Sequence, residues 1–231
     1  MTTIATSPAT SSGPALLPLE NGDHLDQKTF HARYEAMPEH FRAELIGGIV
    51  YVPSPLKRPH SRGHVMLIRW LGDYEDATPG VEVHDNATTI LSDENEPQPD
   101  ANLIITTPGL GQTHEEDEYI VGPPELAAEV ASSTASIDLH RKRAEYEKEG
   151  IKEYLVVVLR PPRVVWYVSR QGRFEELAPG PNGILRSEVF PGLWLDAAAL
   201  LQRDAARVRS ALQQGLATPE HAAFVCRLGG K

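Results

Sequence analysis

Two acids in this 231-residue sequence stand where a charge is out of place. Asp100 follows Pro99 and opens the apolar run Ala101-Asn-Leu-Ile-Ile105, and Glu129 interrupts Leu126-Ala-Ala-Glu-Val130. Burying a lone carboxylate is costly unless something compensates it. Two acids entering strand ends roughly one strand-loop-strand apart could share a hard divalent cation through oxygen ligands, which would offset both charges and acidify a bound water. Each acid also has a plainer account: Asp100 as a strand-entry or turn residue, Glu129 as an edge-strand residue facing solvent. Glu44, in Ala43-Glu-Leu-Ile46, reads by itself as part of a solvated strand face. Gly-x-Gly-x-x-Gly, Walker and Gly-x-Ser-x-Gly patterns are absent, so a nucleotide cradle or a nucleophile elbow finds no support. His60 and His64 are four apart, but Ser61-Arg62-Gly63 between them lacks the glutamate of a zinc protease helix.

The elements that must position these residues are readable in outline. Residues 1–24, rich in Thr, Ser, Pro and Ala, read as a mobile tail. Asp26 can cap a short helix from Gln27 to Ala36, stopped before Pro38. Ala43–Leu45 and Ile49–Val52, joined by Gly47-Gly48, predict a hairpin. Val65, Ile68 and Leu71 follow helical spacing within Arg58–Glu75. Short strands are expected at Val81–His84, Ala87–Leu91, Asp100–Ile105 and Leu126–Val130, with a surface loop over Thr106–Glu118. A charged helix should span Ile137–Glu149 and close at Gly150. Glu153–Leu159 and Val164–Val168 are the densest in β-branched and aromatic residues, and Phe174–Leu177, Ile184–Arg186 and Leu193–Leu195 are further strand candidates. One helix is expected from Asp196 to about Gln214, then a loosely attached tail over 215–231. Trp70, Tyr154, Trp166 and Trp194 read as packing residues. The sum is an α/β fold with a mixed central sheet flanked by helices, as one domain over 25–214.

Composition bounds the partners. The single Cys226 excludes an intrachain disulfide and a Cys-based zinc site, which suits a reducing compartment. With no long apolar run and no N-terminal signal pattern, the expectation is a soluble cytoplasmic protein that does not engage membranes. The formal net charge of −10 opposes sequence-independent wrapping of a phosphate backbone. A local basic patch at Lys57, Arg58, Arg62 and Arg69 leaves room for weaker, salt-sensitive contact.

The order of the acids with their surroundings is more informative than any one of them. Glu44 in Glu-Leu-Ile-Gly-Gly is followed by Pro53-Ser-Pro55 and His60, then Gln98-Pro99-Asp100, then Pro123-Pro-Glu-Leu-Ala-Ala-Glu129. Asp138, Lys142 and Tyr146 come next at steps of four, which place them along one helix face, and Glu149-Gly-Ile-Lys-Glu-Tyr154 closes the series. This series resembles the Uma family of bacterial restriction-endonuclease-like proteins, a branch of the PD-(D/E)XK nuclease-like superfamily, over about residues 28–200.

The resemblance implies a restriction-endonuclease-like core with Asp100 and Glu129 as metal ligands and Glu44 completing the acidic site. Two positions beyond Glu129, where a typical superfamily member carries lysine, this chain has Ala131; the resemblance implies that Lys142 supplies the charge from the following helix. The implied activity is Mg²⁺-dependent hydrolysis of phosphodiester bonds in DNA, with Mn²⁺ as an alternative ion. Arg58, His60 and Arg62 are then candidate phosphate contacts, and a two-fold homodimer is the expected assembly. Two alternatives stay open at this level: a non-catalytic binding or assembly module on the same fold, and a metal-dependent hydrolase of small phosphate esters.

Overall fold

The two segments densest in buried apolar residues become adjacent central strands, and the remaining elements are arranged around them. In the computed structural model, residues 17–132, 135–180 and 182–229 are described. Helix α1 (Gln27–Glu35) is followed by the hairpin β1 (Glu44–Ile46) and β2 (Ile49–Tyr51), then by the long helix α2 (Arg58–Glu75). Strands β3 (Val81–Asp85), β4 (Thr89–Ile90), β5 (Ala101–Ile105), β6 (His114–Glu116), β7 (Tyr119–Val121) and β8 (Leu126–Ala131) come next. A π-helical turn, Ile137–Lys142, runs directly into α3 (Arg143–Glu149). Then come β9 (Glu153–Leu159), β10 (Pro162–Arg170), β11 (Arg173–Glu176), β12 (Ile184–Arg186) and β13 (Trp194–Asp196), with α4 (Ala197–Gln202), α5 (Ala205–Leu216) and α6 (Pro219–Leu228) closing the fold.

The main sheet has six strands in the order β11-β10-β9-β8-β5-β3. All neighbours are antiparallel except β8 and β9, whose parallel pairing requires a crossover that the π-turn and α3 provide. This is the α/β architecture expected, a mixed sheet with helices on both faces. On one face α2, α4, α5 and α6 bury Leu67, Trp70, Leu71, Val130, Leu155 and Trp166 among others. On the other, Tyr146 of α3 packs with Ala127, Ala131, Tyr154, Val156 and Val158. A third cluster joins Phe30 of α1 to Leu45 and Val50 of the hairpin. Trp70, Tyr154 and Trp166 are core residues, as read from the sequence.

Local chemistry explains most boundaries. Asp26 caps α1 by accepting from the Thr29 N–H at 2.8 Å. Gly47 and Gly48, at φ +57° and +73°, form the two-residue turn between β1 and β2, a conformation that side chains with a Cβ resist.

Four expectations are corrected. The loop over Thr106–Glu118 contains β6, which pairs with β7, and β7 pairs in parallel with β4; the turn is made by Asp117 and Glu118 in left-handed conformations. The single C-terminal helix is two: Arg203 adopts a left-handed cap and the Asp204 side chain accepts from the Arg207 N–H, starting α5. The expected tail over 215–231 contains α6, with Thr218 as cap and Pro219 in the first turn, and Phe224 and Leu228 enter the core. Of the expected N-terminal tail, residues 1–16 lie outside the described residues, while Leu19 is buried and His24 bridges Ile49.

Candidate active site

The register of the sheet makes neighbours of the two acids that the sequence separates. Ala101 pairs with Ala128 in the antiparallel β5–β8 ladder, so Asp100 and Glu129 continue that ladder opposite one another on one face. Directly opposed like charges repel, and both are buried. Glu129 is on an interior strand, between β5 and β9, which removes the account of it as a solvated edge residue.

Each acid has a cation. Lys142 Nζ donates to Glu129 Oε1 at 2.7 Å and to Glu44 Oε1 at 2.9 Å, with the lysine side chain only 5% exposed. It is therefore not a surface partner of Asp138. The π-turn places it: Asp138 and Lys142 both face inward, and the Tyr154 hydroxyl donates to the Asp138 carbonyl at 3.0 Å. Arg141, adjacent to Lys142, donates to the Gly47 carbonyl at 2.9 Å, tying this segment to the hairpin that carries Glu44. The Tyr146 hydroxyl lies 3.4 Å from Glu129 Oε1.

Asp100 is held from α2. His60 Nε2 lies 3.2 Å from Asp100 Oδ2, which also accepts from the Val130 N–H at 2.7 Å. His64 Nε2 reaches the Asp100 carbonyl oxygen at 2.7 Å. Gly63 permits this approach, since a Cβ there would sit 3.0 Å from Val130 Cγ1. Glu44 is fixed in turn by the Gln98 N–H at 2.8 Å, and the Gln98 side chain donates to the Tyr34 and Thr88 hydroxyls.

The electrostatics follow from these contacts. Burial pushes the Glu129 carboxyl well up, against the pull of Lys142. Lys142 is buried too, yet the Glu129 and Glu44 carboxylates outweigh that penalty and hold its ammonium well above the ordinary lysine range. Burial also acts on Asp100, but the His60 hydrogen bond and charge, with the Val130 N–H, leave its pKa lowered. His60 is raised, chiefly by its bond to Asp100.

The donor set has a definite character. Asp100, Glu129 and Glu44 each engage one carboxylate oxygen and leave the other without a hydrogen bond among the described residues. No group of three or more His, Cys, Asp or Glu side chains is arranged as a metal cage among the described residues. Two hard oxygen donors fit Mg²⁺, which is commonly held by one or two carboxylates plus water and substrate oxygens, better than zinc, which favours nitrogen and sulfur ligands.

The structure thus brings together Glu44, Asp100, Glu129, Lys142 and His60. Arg58 and Arg62 are exposed on the first turns of α2, outside this cluster. His64 and the Gln98 backbone were not singled out by sequence reasoning as site residues; the His60–His64 spacing was the only signal for the former. A cavity of about 490 Å³ lies elsewhere, lined by Glu82, His84, Thr106, Glu115, Glu118 and Tyr119 among others, and contains none of the clustered acids.

Known proteins give a consistent picture. No curated protein matches the sequence. Among solved structures, a putative nuclease belonging to DUF820 from Anabaena variabilis superposes with a TM-score of 0.56 at 16% identity, covering 74% of this chain and 96% of that one. The profile of the Uma2 family, described as putative restriction endonuclease, matches residues 29–198. The chain belongs to the Uma2 family of putative restriction endonucleases, and its fold is restriction-endonuclease-like.

Proposed function

We propose that the protein is a Mg²⁺-dependent endonuclease that hydrolyses phosphodiester bonds in DNA. The observation that carries this reading is the facing pair Asp100 and Glu129, buried on adjacent strands with one free oxygen each. These two side chains would hold the ion. When bound, a divalent cation neutralises charge on phosphoryl oxygens and makes water a better nucleophile. Lys142, an ammonium donating to two carboxylates, offers positive charge to a phosphate oxygen and is poorly suited to accept a proton. Glu44 orients Lys142, and on its unbonded oxygen can orient a water. His60 keeps Asp100 Oδ2 occupied, which leaves Oδ1 for the ion. Because one such core offers one cleavage centre, a two-strand cut calls for a C₂ homodimer, visible as twice the chain mass in light scattering.

Purified protein incubated with supercoiled DNA and Mg²⁺ should nick it, EDTA should stop the reaction, and Asp100→Asn or Glu129→Gln should abolish it. Cleavage undiminished in both variants would sink the proposal. A second reading has one observation in its favour: Lys142 and His60 already neutralise the acids, as a non-catalytic module would need. Calorimetry separates the two, because carboxylate-dependent Mn²⁺ binding favours the nuclease and its absence the module. Turnover of a chromogenic phosphodiester without cleavage of DNA would point instead to a small-ester hydrolase.

A further inference from the structure

We infer that Arg160, on the turn between β9 and β10, and Arg163, at the start of β10, form with the α2 cations a phosphate-binding rim around the end of the sheet that seats duplex DNA over the carboxylate site. This rests on the nucleic-acid reading above and names the surface that carries it.

The first observation is where positive charge is left unneutralised. Away from the site, acids hold many of the cations: Lys148 by Glu94, Arg170 by Glu175 and Glu188, Arg207 by Asp196 and Arg209 by Asp73. Lys57, Arg58, Arg62, Arg160 and Arg163 are exposed and make no ion pair among the described residues. The opposite lateral edge, at β3, is acidic through Glu82 and the nearby Glu115 and Glu118. A polyanion is therefore repelled from one edge and meets free cations beside the other.

The second observation is register. Ala131 pairs with Val158 in β8–β9, and Val158 pairs with Arg163 in β9–β10. Ala131, Val158 and Arg163 thus form one lateral row, on the same pleat face as Glu129 and next to the row Glu129, Val156, Val165. Two strand spacings, about 10 Å, separate the Arg163 and Ala131 backbones, a gap that an extended arginine largely spans. Arg163 therefore rises from the face that carries the acids.

The third is adjacency to α2. A Cβ on Gly63 would lie 3.6 Å from Leu159 Cδ2, so the helix segment that carries Arg58 and Arg62 packs on the pleat face opposite Arg163, and the turn bearing Arg160 links the two faces at the sheet end that holds the acids. Pro161 and Pro162 restrict the backbone between the two arginines, which limits the entropy lost when both engage phosphates. The planar guanidinium fork suits phosphate oxygens.

The test is the salt dependence of binding to a short labelled duplex, followed by fluorescence anisotropy with Ca²⁺ in place of Mg²⁺. Each neutralised phosphate contributes about 0.9 to the slope of log K against log salt. Arg160→Gln and Arg163→Gln should each lower the slope by about that amount and weaken binding roughly eightfold at 0.1 M salt. Arg227→Gln, exposed near the far end of the sheet, should leave both unchanged. Wild-type slopes in both the Arg160 and the Arg163 variant would overturn this inference and leave the nuclease reading standing. Failure of the wild type to bind the duplex at any salt would overturn both.

Discussion

Lys142 is the residue on which the site's charge balance turns, and its removal tests that balance apart from catalysis. With Met at this position, Glu129 and Glu44 lose a shared donor, and Glu129 is left buried beside Asp100. Breaking a buried pair in this way costs about 3–5 kcal/mol, so Lys142→Met should lower unfolding stability by that much in urea. A loss below about 1 kcal/mol, the scale of an exposed bridge, would contradict the buried geometry. Glu153 makes a second residue-level case. Its carboxylate accepts from Ser187 Oγ at 2.8 Å and from the Glu188 and Val189 N–H groups at 2.7 and 3.1 Å, tying β9 to the segment before β13. Complete burial nonetheless pushes its pKa up to about 7 from the usual 4.5. The folded state then binds the proton more tightly than the unfolded one. Stability is greatest below pH 4.5 as far as this group is concerned and falls as pH rises through 7, by on the order of 3 kcal/mol. Urea midpoints at pH 5 and 8 should differ accordingly, and Glu153→Gln should remove that part of the difference.

At the scale of elements, α2 is pressed against the sheet at one glycine and free of it at another. A Cβ at Gly63 would crowd Val130, whereas a Cβ at Gly72 would meet nothing within 4 Å. Alanine is the better helix former by about 1 kcal/mol, so Gly72→Ala should stabilise by up to that amount. Gly63→Ala should not, because crowding offsets the gain, and it should reduce cleavage by loosening the His60–Asp100 contact. Equal stabilisation by both, measured in parallel urea titrations, would show that the close approach is not a constraint. The elements differ in how openly the sequence states them. The hairpin, α1 and the β9–β10 pair carry local signals: paired glycines, a capping aspartate, runs of valine. Strands β6 and β7 carry almost none, since His114, Glu115 and Glu116 are all exposed and pair with β7 across a turn, while β7 finds its other partner in β4.

Across the whole molecule, α6 completes the core instead of trailing from it. Phe224 meets Phe190 edge to face with ring centroids 6.3 Å apart, and His221 bridges the Thr78 hydroxyl and the Leu216 carbonyl. Phe224→Ala should therefore cost about 3–5 kcal/mol in equilibrium unfolding, a loss no detached tail would produce. Whole-molecule charge is organised in the same sense: an acidic β3 edge, an acid pair buried with its own cations, and basic side chains at that end of the sheet that make no ion pair among the described residues. No helix among the described residues is long and apolar enough to cross a membrane.

The sequence by itself determined the α/β class and the central strands, because strand propensity and capping chemistry are local properties, and it marked Asp100 and Glu129 as acids set in apolar runs. It left open whether Glu129 faced solvent, whether Lys142 lay against Glu129 or on a solvated helix face beside Asp138, and whether the last residues belonged to the core. Those questions turn on register and packing between segments far apart in the chain. Ala101 had to find Ala128, and the π-turn had to be fastened to Gly47, before Lys142 could stand between Glu44 and Glu129. Hydrogen bonding between strands and burial against distant helices decide such placements, and neither is written within any one segment.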